Sequence, residues 1–232
     1  MSWSGKLEFG SAWVAFRGRS AENSMHAHAA LQLTLASDGV VTLCGAAGVV
    51  SGHALLVGPG TPHAIESTGI LTLLLIEPQS PAAHILGAAG LRGIVPLAPA
   101  LAGLVDPDLP LATCMDRLLA QADASAPLLD ARLTVALEHL RSDTSAAAVA
   151  RAAGAAGLST SRLRALAMQG LGTPLATWVA WRRLERAGLS LAAGASLAQA
   201  AHDGGFADQA HFTRTMRKVF GITPKMLGQL AR

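Results

Sequence analysis

With 232 residues the chain has room for two domains of about 100 residues, each able to bury a core. Much of its 51% hydrophobic content is alanine, no run nears the roughly 18 apolar residues of a membrane span, and the first residues lack the charged start and apolar middle of a secretory signal. A cytoplasmic chain with no membrane partner is therefore expected. The net charge of +3 conceals an asymmetry: 5 Lys and Arg against 9 Asp and Glu up to Pro127, then 13 against 6 from Leu128 to Arg232. The second half should seek an anionic partner such as a phosphate backbone. Cys44 and Cys114 show no metal-type spacing and are expected as reduced thiols.

The first half reads as short strands. Leu31-Gln-Leu-Thr-Leu-Ala alternates apolar and polar, Gly39-Val-Val-Thr-Leu resumes after Ser37-Asp38, and Ala54–Val57 and Ile70–Ile76 are apolar runs bounded by Gly, Pro or Ser. Strands at this spacing suggest a sandwich or small barrel. His26-Ala-His28 places two imidazoles on one face of a strand, because side chains alternate with period two. Gln32 follows, then Gly39, Gly52 and Gly60-Thr-Pro-His63. This set resembles the paired motifs of the cupin superfamily, with Gln32 for the usual Glu, Gly58 for Pro and Ser67 for Asn. The resemblance implies that His63 faces His26 and His28, and that these three, with Gln32 as a fourth ligand, could hold zinc, nickel or iron. A second reading stays open, in which His26, His28, Gln32 and His63 line an effector pocket without metal. The exchange of Glu for neutral Gln removes charge that would balance a dication.

Residues 81–127 read as a helical linker punctuated by Pro96, Pro99, Pro107 and Pro110. Within it Leu111, Cys114, Met115, Leu118, Leu119 and Ala122 make the apolar stripe of an amphipathic helix over 111–123. Such a stripe packs either on the barrel or on another chain.

Helices follow Pro127. Leu129 to Leu140 is expected to bury Leu133, Val135, Leu137 and Leu140, and an Ala-rich helix runs from Ser145 to Ala153, broken at Gly154 and Gly157. Leu158 to Leu166 carries Ser161, Arg162, Leu163 and Arg164, with Gly170 beyond it. Thr173 as cap and Pro174 at the first position then open a helix that turns Leu175, Trp178, Val179 and Leu184 inward and Arg182, Arg183, Glu185 and Arg186 outward. Ser196 and Gln199 have capping-box spacing, Gly204-Gly205 ends that helix, and Asp208 favours the start of the next. There Phe212, Met216, Val219 and Phe220 form a core face, while Gln209, His211, Thr213, Arg214, Arg217 and Lys218 offer groups that bond base edges and neutralise phosphates.

Gly205, Phe206, Asp208, Phe212, Arg214 and Gly221 to Pro224 resemble the second helix-turn-helix of the arabinose-regulator (AraC/XylS) family, with Met216 where that family usually has Phe. The resemblance implies a first copy over about 145–168, matching the second at about 196–219, and a connecting helix that spaces the two reading helices. In the first copy Ala165 and Ala167 replace the usual Arg and Phe, so base contact falls to Ser161, Arg162 and Arg164 and the second copy should dominate the sequence preference. The family also implies a homodimer through helix 111–123. The expected fold class is α+β in two domains: a cupin-like barrel or sandwich over 1–80 that senses a small-molecule effector, the linker, and an all-α double helix-turn-helix over 128–232 that binds double-stranded DNA. The rival readings are a metal-dependent cupin dioxygenase or isomerase with an accessory nucleic-acid-binding domain, and a non-specific nucleic-acid binder.

Overall fold

The computed structural model describes residues 3–66, 69–87, 90–106, 108–121, 129–145 and 147–230. Ser67, Pro107, Ala122 and Leu128, used above, lie outside the described residues. Strands β1 (Ser4–Gly10), β2 (Trp13–Arg19), β3 (Leu31–Ala36), β4 (Val41–Gly45), β5 (Gly48–Gly52), β6 (Ala54–Val57), β7 (His63–Ile65), β8 (Ile70–Ile76) and β9 (Ile94–Pro96) build two antiparallel sheets. One runs β1-β2-β8-β3-β6-β9 and the other β5-β4-β7. β1, β2 and β9 were not singled out from the sequence. β9 is three residues long, too short to show a period, and it exists because Leu56 pairs with Val95 across the sheet.

Strand β3 is buried along its whole length, on both faces. Leu31, Leu33 and Leu35 face one layer and share a core with Leu74 and Ile76 of β8; Leu71, Leu73 and Leu75 face the barrel interior. The first layer is covered by α1 (Pro81–Ile85) and α3 (Leu111–Leu119), with α2 (Pro99–Ala102) between them in the chain. Leu111, Cys114, Met115 and Leu118 of α3 are all buried there. These four residues of the stripe thus pack on the barrel of their own chain, whereas Leu119 is 38% exposed. Both cysteines are free thiols.

The helical half comprises α4 (Ala131–Ser142), α5 (Ala148–Ala155), α6 (Thr160–Leu171), α7 (Leu175–Ala192), α8 (Leu197–Asp203), α9 (Gln209–Phe220) and α10 (Pro224–Leu230). Helix α4 buries Leu133, Ala136, Leu137 and Leu140, whereas Val135, expected inside, is 43% exposed. The i, i+3, i+4 spacing of the buried set excludes it. α5 begins three residues after Ser145 and includes Gly154.

Helix α7 departs most from expectation. Its face bearing Arg182, Arg183, Glu185 and Arg186 is half-buried rather than turned to solvent, because α7 lies between the barrel and the rest of the helical half. Arg182 pairs with Glu77 at 2.5 Å and with Glu185 at 2.5 Å. Arg183 donates to the Thr144 carbonyl at 3.0 Å, and Arg186 donates to the Thr144 hydroxyl. Trp181 is buried beside Trp178 in the same core.

Glu77, at the end of β8, is 1% exposed and also receives Arg141 of α4 at 2.5 Å. One carboxylate thus joins the barrel to two helices of the other half. Removing one member of a buried ionic group leaves the remaining charges uncompensated. Glu77→Ala should lower the unfolding free energy by roughly 3–5 kcal/mol in urea titration, and a loss below about 1 kcal/mol would show that this cluster does not hold the halves together.

Candidate DNA-reading helices and an inter-domain chamber

Two helices of the carboxyl-terminal half are built alike. Ser159 Oγ caps α6 by accepting from Arg162 N at 3.2 Å, and Asp208 Oδ1 caps α9 by accepting from His211 N at 2.6 Å. Both helices close on a left-handed glycine, Gly172 at φ 70° and Gly221 at φ 69°. Each is preceded by a short helix and a left-handed turn glycine, Gly157 before α6 and Gly205 before α9. Caps, core residues Leu163 and Phe212, and closing glycines all recur at the same offset, so the repeat expected from the sequence is a repeat of structure.

Their outer faces carry the cations. Ser161, Arg162 and Arg164 on α6, and Gln209, Arg214, Arg217 and Lys218 on α9, are exposed. Among the described residues Arg162, Arg164, Arg214, Arg217 and Lys218 form no ion pair, whereas Arg132, Arg141, Arg151 and Arg182 all do. Exposed, unpaired cations on equivalent helices are ready for phosphate and base contacts. Two expected readers are more occupied. Thr213 donates its hydroxyl to Gln209 O at 2.8 Å, and His211, half-buried, stands edge-on to Phe206 at 5.3 Å between ring centroids.

The capping details differ in two places. Ser196 accepts from Gln199 N at 3.1 Å, but the Gln199 side chain turns forward to Asp203 at 2.7 Å instead of back, so only half of the expected box forms. Pro174, not Thr173, occupies the N-cap position of α7, no side chain caps that helix, and Thr173 is fully buried.

The histidines meet where the barrel touches the helices. His26, His28 and His63 are buried, with each Nδ1 against a backbone carbonyl: Ser24 O at 2.9 Å, Ala30 O at 3.0 Å and Thr61 O at 2.9 Å. A neutral ring that donates from Nδ1 keeps a lone pair on Nε2. Burial holds the rings neutral, lowering His28 and taking His26 to about 4 and His63 to about 2, with the neighbouring imidazoles adding to the latter two shifts.

Gln32 Oε1 stands 3.0 Å from Nε2 of His28 and 3.0 Å from Nε2 of His63, and Gln32 Nε2 donates to Thr34 Oγ1 at 3.0 Å. Exchanging the amide's oxygen and nitrogen, which are alike in shape, would turn the NH2 toward the Nε2 lone pairs of His28 and His63 and the oxygen toward the Thr34 hydroxyl, pairing these three residues with Gln32 without any charge. The same histidines offer ligand atoms within 4.8 Å of one another, a spacing that fits a divalent ion.

This cluster adjoins α9. His28 lies 6.3 Å from Phe220 and 6.2 Å from Trp181, ring centroid to centroid. Asn23 donates to Phe220 O at 3.2 Å while accepting from Ile65 N at 2.7 Å. Ser24 N and Oγ donate to Gly221 O at 3.3 and 3.2 Å. Gly221 is required twice over, since its φ is left-handed and a Cβ there would stand 2.4 Å from Ser24 O.

Beside the cluster a cavity of about 90 Å³ opens between the two halves. Leu7, Phe9 and Leu75 wall it from the barrel, and Leu184, Met216 and Leu227 from the helices. An occupant would touch both. The sequence had given the histidines but not this chamber, because its far wall comes from residues about 180 positions away in the chain, which no local pattern connects.

Two outcomes are expected. The histidines have lowered folded pKa values, so as pH falls below the unfolded value of about 6.5 the unfolded chain takes up protons first. Stability is retained above pH 7 and lost between about 6.5 and 4 for His26 and further down for His63, at up to about 1.4 kcal/mol per pH unit per histidine. Urea titrations of wild type and His63→Gln across that range should show a shallower slope in the variant; identical slopes would contradict burial of the neutral ring. Gly221→Ala should cost at least about 1 kcal/mol and speed amide exchange at Ser24, and unchanged exchange would show that the contact with the barrel is not formed.

Residues 152–229 match the family model for a helix-turn-helix domain. Apo ToxT from Vibrio cholerae has a TM-score of 0.65 at 12% identity, covering 97% of this chain and 100% of that one. ToxT with an unsaturated fatty acid bound gives 0.59 at 12% identity, covering 96% and 97%. An AraC-type DNA-binding-domain protein from Chromobacterium violaceum is 28% identical over 44% of this chain and 92% of its own, with a TM-score of 0.39. No curated protein matches the sequence. Residues 152–229 thus match a helix-turn-helix domain, in a chain whose overall fold is similar to that of ToxT.

Proposed function

We propose that the chain is a sequence-specific transcription regulator that reads promoter DNA with α6 and α9 and answers to a small molecule held in the inter-domain chamber. The observation that carries this reading is the set of exposed, unpaired cations on two helices of identical build. Entering successive major-groove segments, such helices take register from phosphates and specificity from base edges. Arg162, Arg164, Arg217 and Lys218 would neutralise phosphates, and Gln209 and Arg214 would read bases. The likeness to ToxT, crystallised with an unsaturated fatty acid, supports a sensing role for the barrel. Action on promoter DNA implies a cytoplasmic location, and the barrel is read as a receptor rather than as a dioxygenase or isomerase.

The effector acts only by binding one arrangement of the two halves better than another. A chamber with walls from both supplies that difference. A second reading of the cluster rests on the spacing of its ligand atoms: His26, His28 and His63, with Gln32, would hold zinc, nickel or iron, and the ion would supply a Lewis-acidic end to the chamber. One equivalent of zinc bound by wild type and none by His28→Gln in calorimetry would establish it. No binding would leave the closed hydrogen-bond network as the cluster's role.

Binding to duplexes selected from a random pool tests the main reading. Arg214→Ala should weaken the selected duplex by roughly 1–3 kcal/mol and leave a scrambled duplex almost unchanged. Lys218→Ala should weaken both and reduce the salt slope by about one phosphate contact. Equal loss on both duplexes for Arg214→Ala would contradict base reading.

A further inference from the structure

We propose that the inter-domain chamber takes a neutral, mainly apolar molecule bearing one hydrogen-bond-accepting oxygen, of the ketone, ester or lactone class. This rests on the effector-chamber reading and narrows it to a ligand chemistry.

The walls are almost wholly aliphatic and aromatic, which favours an apolar occupant. By the roughly 10–15 Å³ that one water needs on this measure, the space corresponds to about six to nine waters, enough for a short-chain molecule. None of the described residues lining it is Lys or Arg. The one acidic side chain in the wall, Glu185, is ion-paired to Arg182 at 2.5 Å and would repel a ligand carboxylate. A buried carboxylate without a cation is strongly disfavoured.

The polar atoms of the wall define the rest. Asn23 is engaged at both ends of its amide, and Gln32 is held by His28, His63 and Thr34. The indole N–H groups of Trp3 and Trp181, both wall residues, are instead buried with no hydrogen-bond partner. A third unpaired indole, that of Trp178, is not part of the wall. An indole N–H only donates, so what these two lack is an acceptor, and leaving them unpaired is costly. No acceptor of the wall stands within hydrogen-bond reach of either indole N–H. A carbonyl or ester oxygen brings one without bringing charge. The ToxT ligands named as an unsaturated fatty acid and a butenoic acid derivative are acids, so the chemistry inferred here differs from theirs.

The test uses the full chain labelled with ¹⁵N in its four tryptophans, whose indole resonances are assigned through single Trp→Phe variants. Heptan-2-one and heptanoate are titrated at pH 7.5, each with and without one equivalent of zinc chloride. Heptan-2-one should move the Trp3 and Trp181 signals saturably while leaving Trp13 in place, and heptanoate should need at least ten-fold more. Trp181→Phe should weaken the ketone about five-fold or more, with Trp3→Phe as a second variant should the first not fold. Heptanoate binding as tightly as the ketone, in either metal condition, would overturn the neutral-ligand class yet leave the effector-chamber reading standing. No saturable shift with either probe would overturn the class and remove the chamber from the functional reading, without touching DNA recognition by α6 and α9.

Discussion

The final carbonyls of a helix have no partner inside it, and at the end of α9 those of Lys218, Phe220 and the capping Gly221 find theirs in the barrel half. Asn23 and Ser24 donate to Phe220 O and Gly221 O, and Ala27 N reaches Lys218 O at 3.5 Å. The helix carrying Arg214 is therefore anchored at one end by the segment that carries His26. A buried helix end must be satisfied somewhere, so moving this segment either carries α9 with it or strands polar groups. The coupling proposed between chamber and α9 needs no other wire.

A second tie joins the two halves through a different segment, at Glu77 after β8. Glu77 holds Arg141 of α4 and Arg182 of α7, and α7 in turn grips Thr144 through Arg183 and Arg186. These contacts fix the first reading helix indirectly, by fixing the scaffold that spaces it from the second. Between the two ties lies the chamber, whose walls belong to both halves. A molecule that fills it favours whichever arrangement closes those walls upon it, and that preference is all the free energy available to shift the reading helices. His26 and Gln32 of the cluster line the same space, whereas His28 and His63 are not among its wall residues. The rings of the cluster stay neutral because desolvation outweighs their backbone hydrogen bonds.

Much of this was legible locally. Ser196 and Asp208 announce their helices because capping depends on a few neighbouring residues, and Phe212, Met216 and Val219 announce the buried face of α9 because a helix has a fixed period. His26 and His28 do come together as the cupin resemblance implies, but not by strand alternation, because His26 makes only an isolated bridge to His63 and His28 lies outside every strand. What stayed hidden is long-range. Arg182 looks like a solvent-facing residue until the barrel supplies Glu77 from 105 positions away. Trp181, β9 and the chamber depend in the same way on which layer covers them, and a helical stripe such as that of α3 does not name its partner. Gln199 missed its capping role because Asp203 offers a competing acceptor one turn on.

The central claim is a thermodynamic coupling between the chamber and α9, and linkage makes it reciprocal. The most direct measurement takes the affinity of the full chain for its selected duplex with and without saturating chamber ligand, and the affinity for that ligand with and without duplex. The account predicts that both change by the same factor, and that Gly221→Ala brings both factors toward one. A ligand that saturates the chamber while duplex affinity stays constant would contradict it.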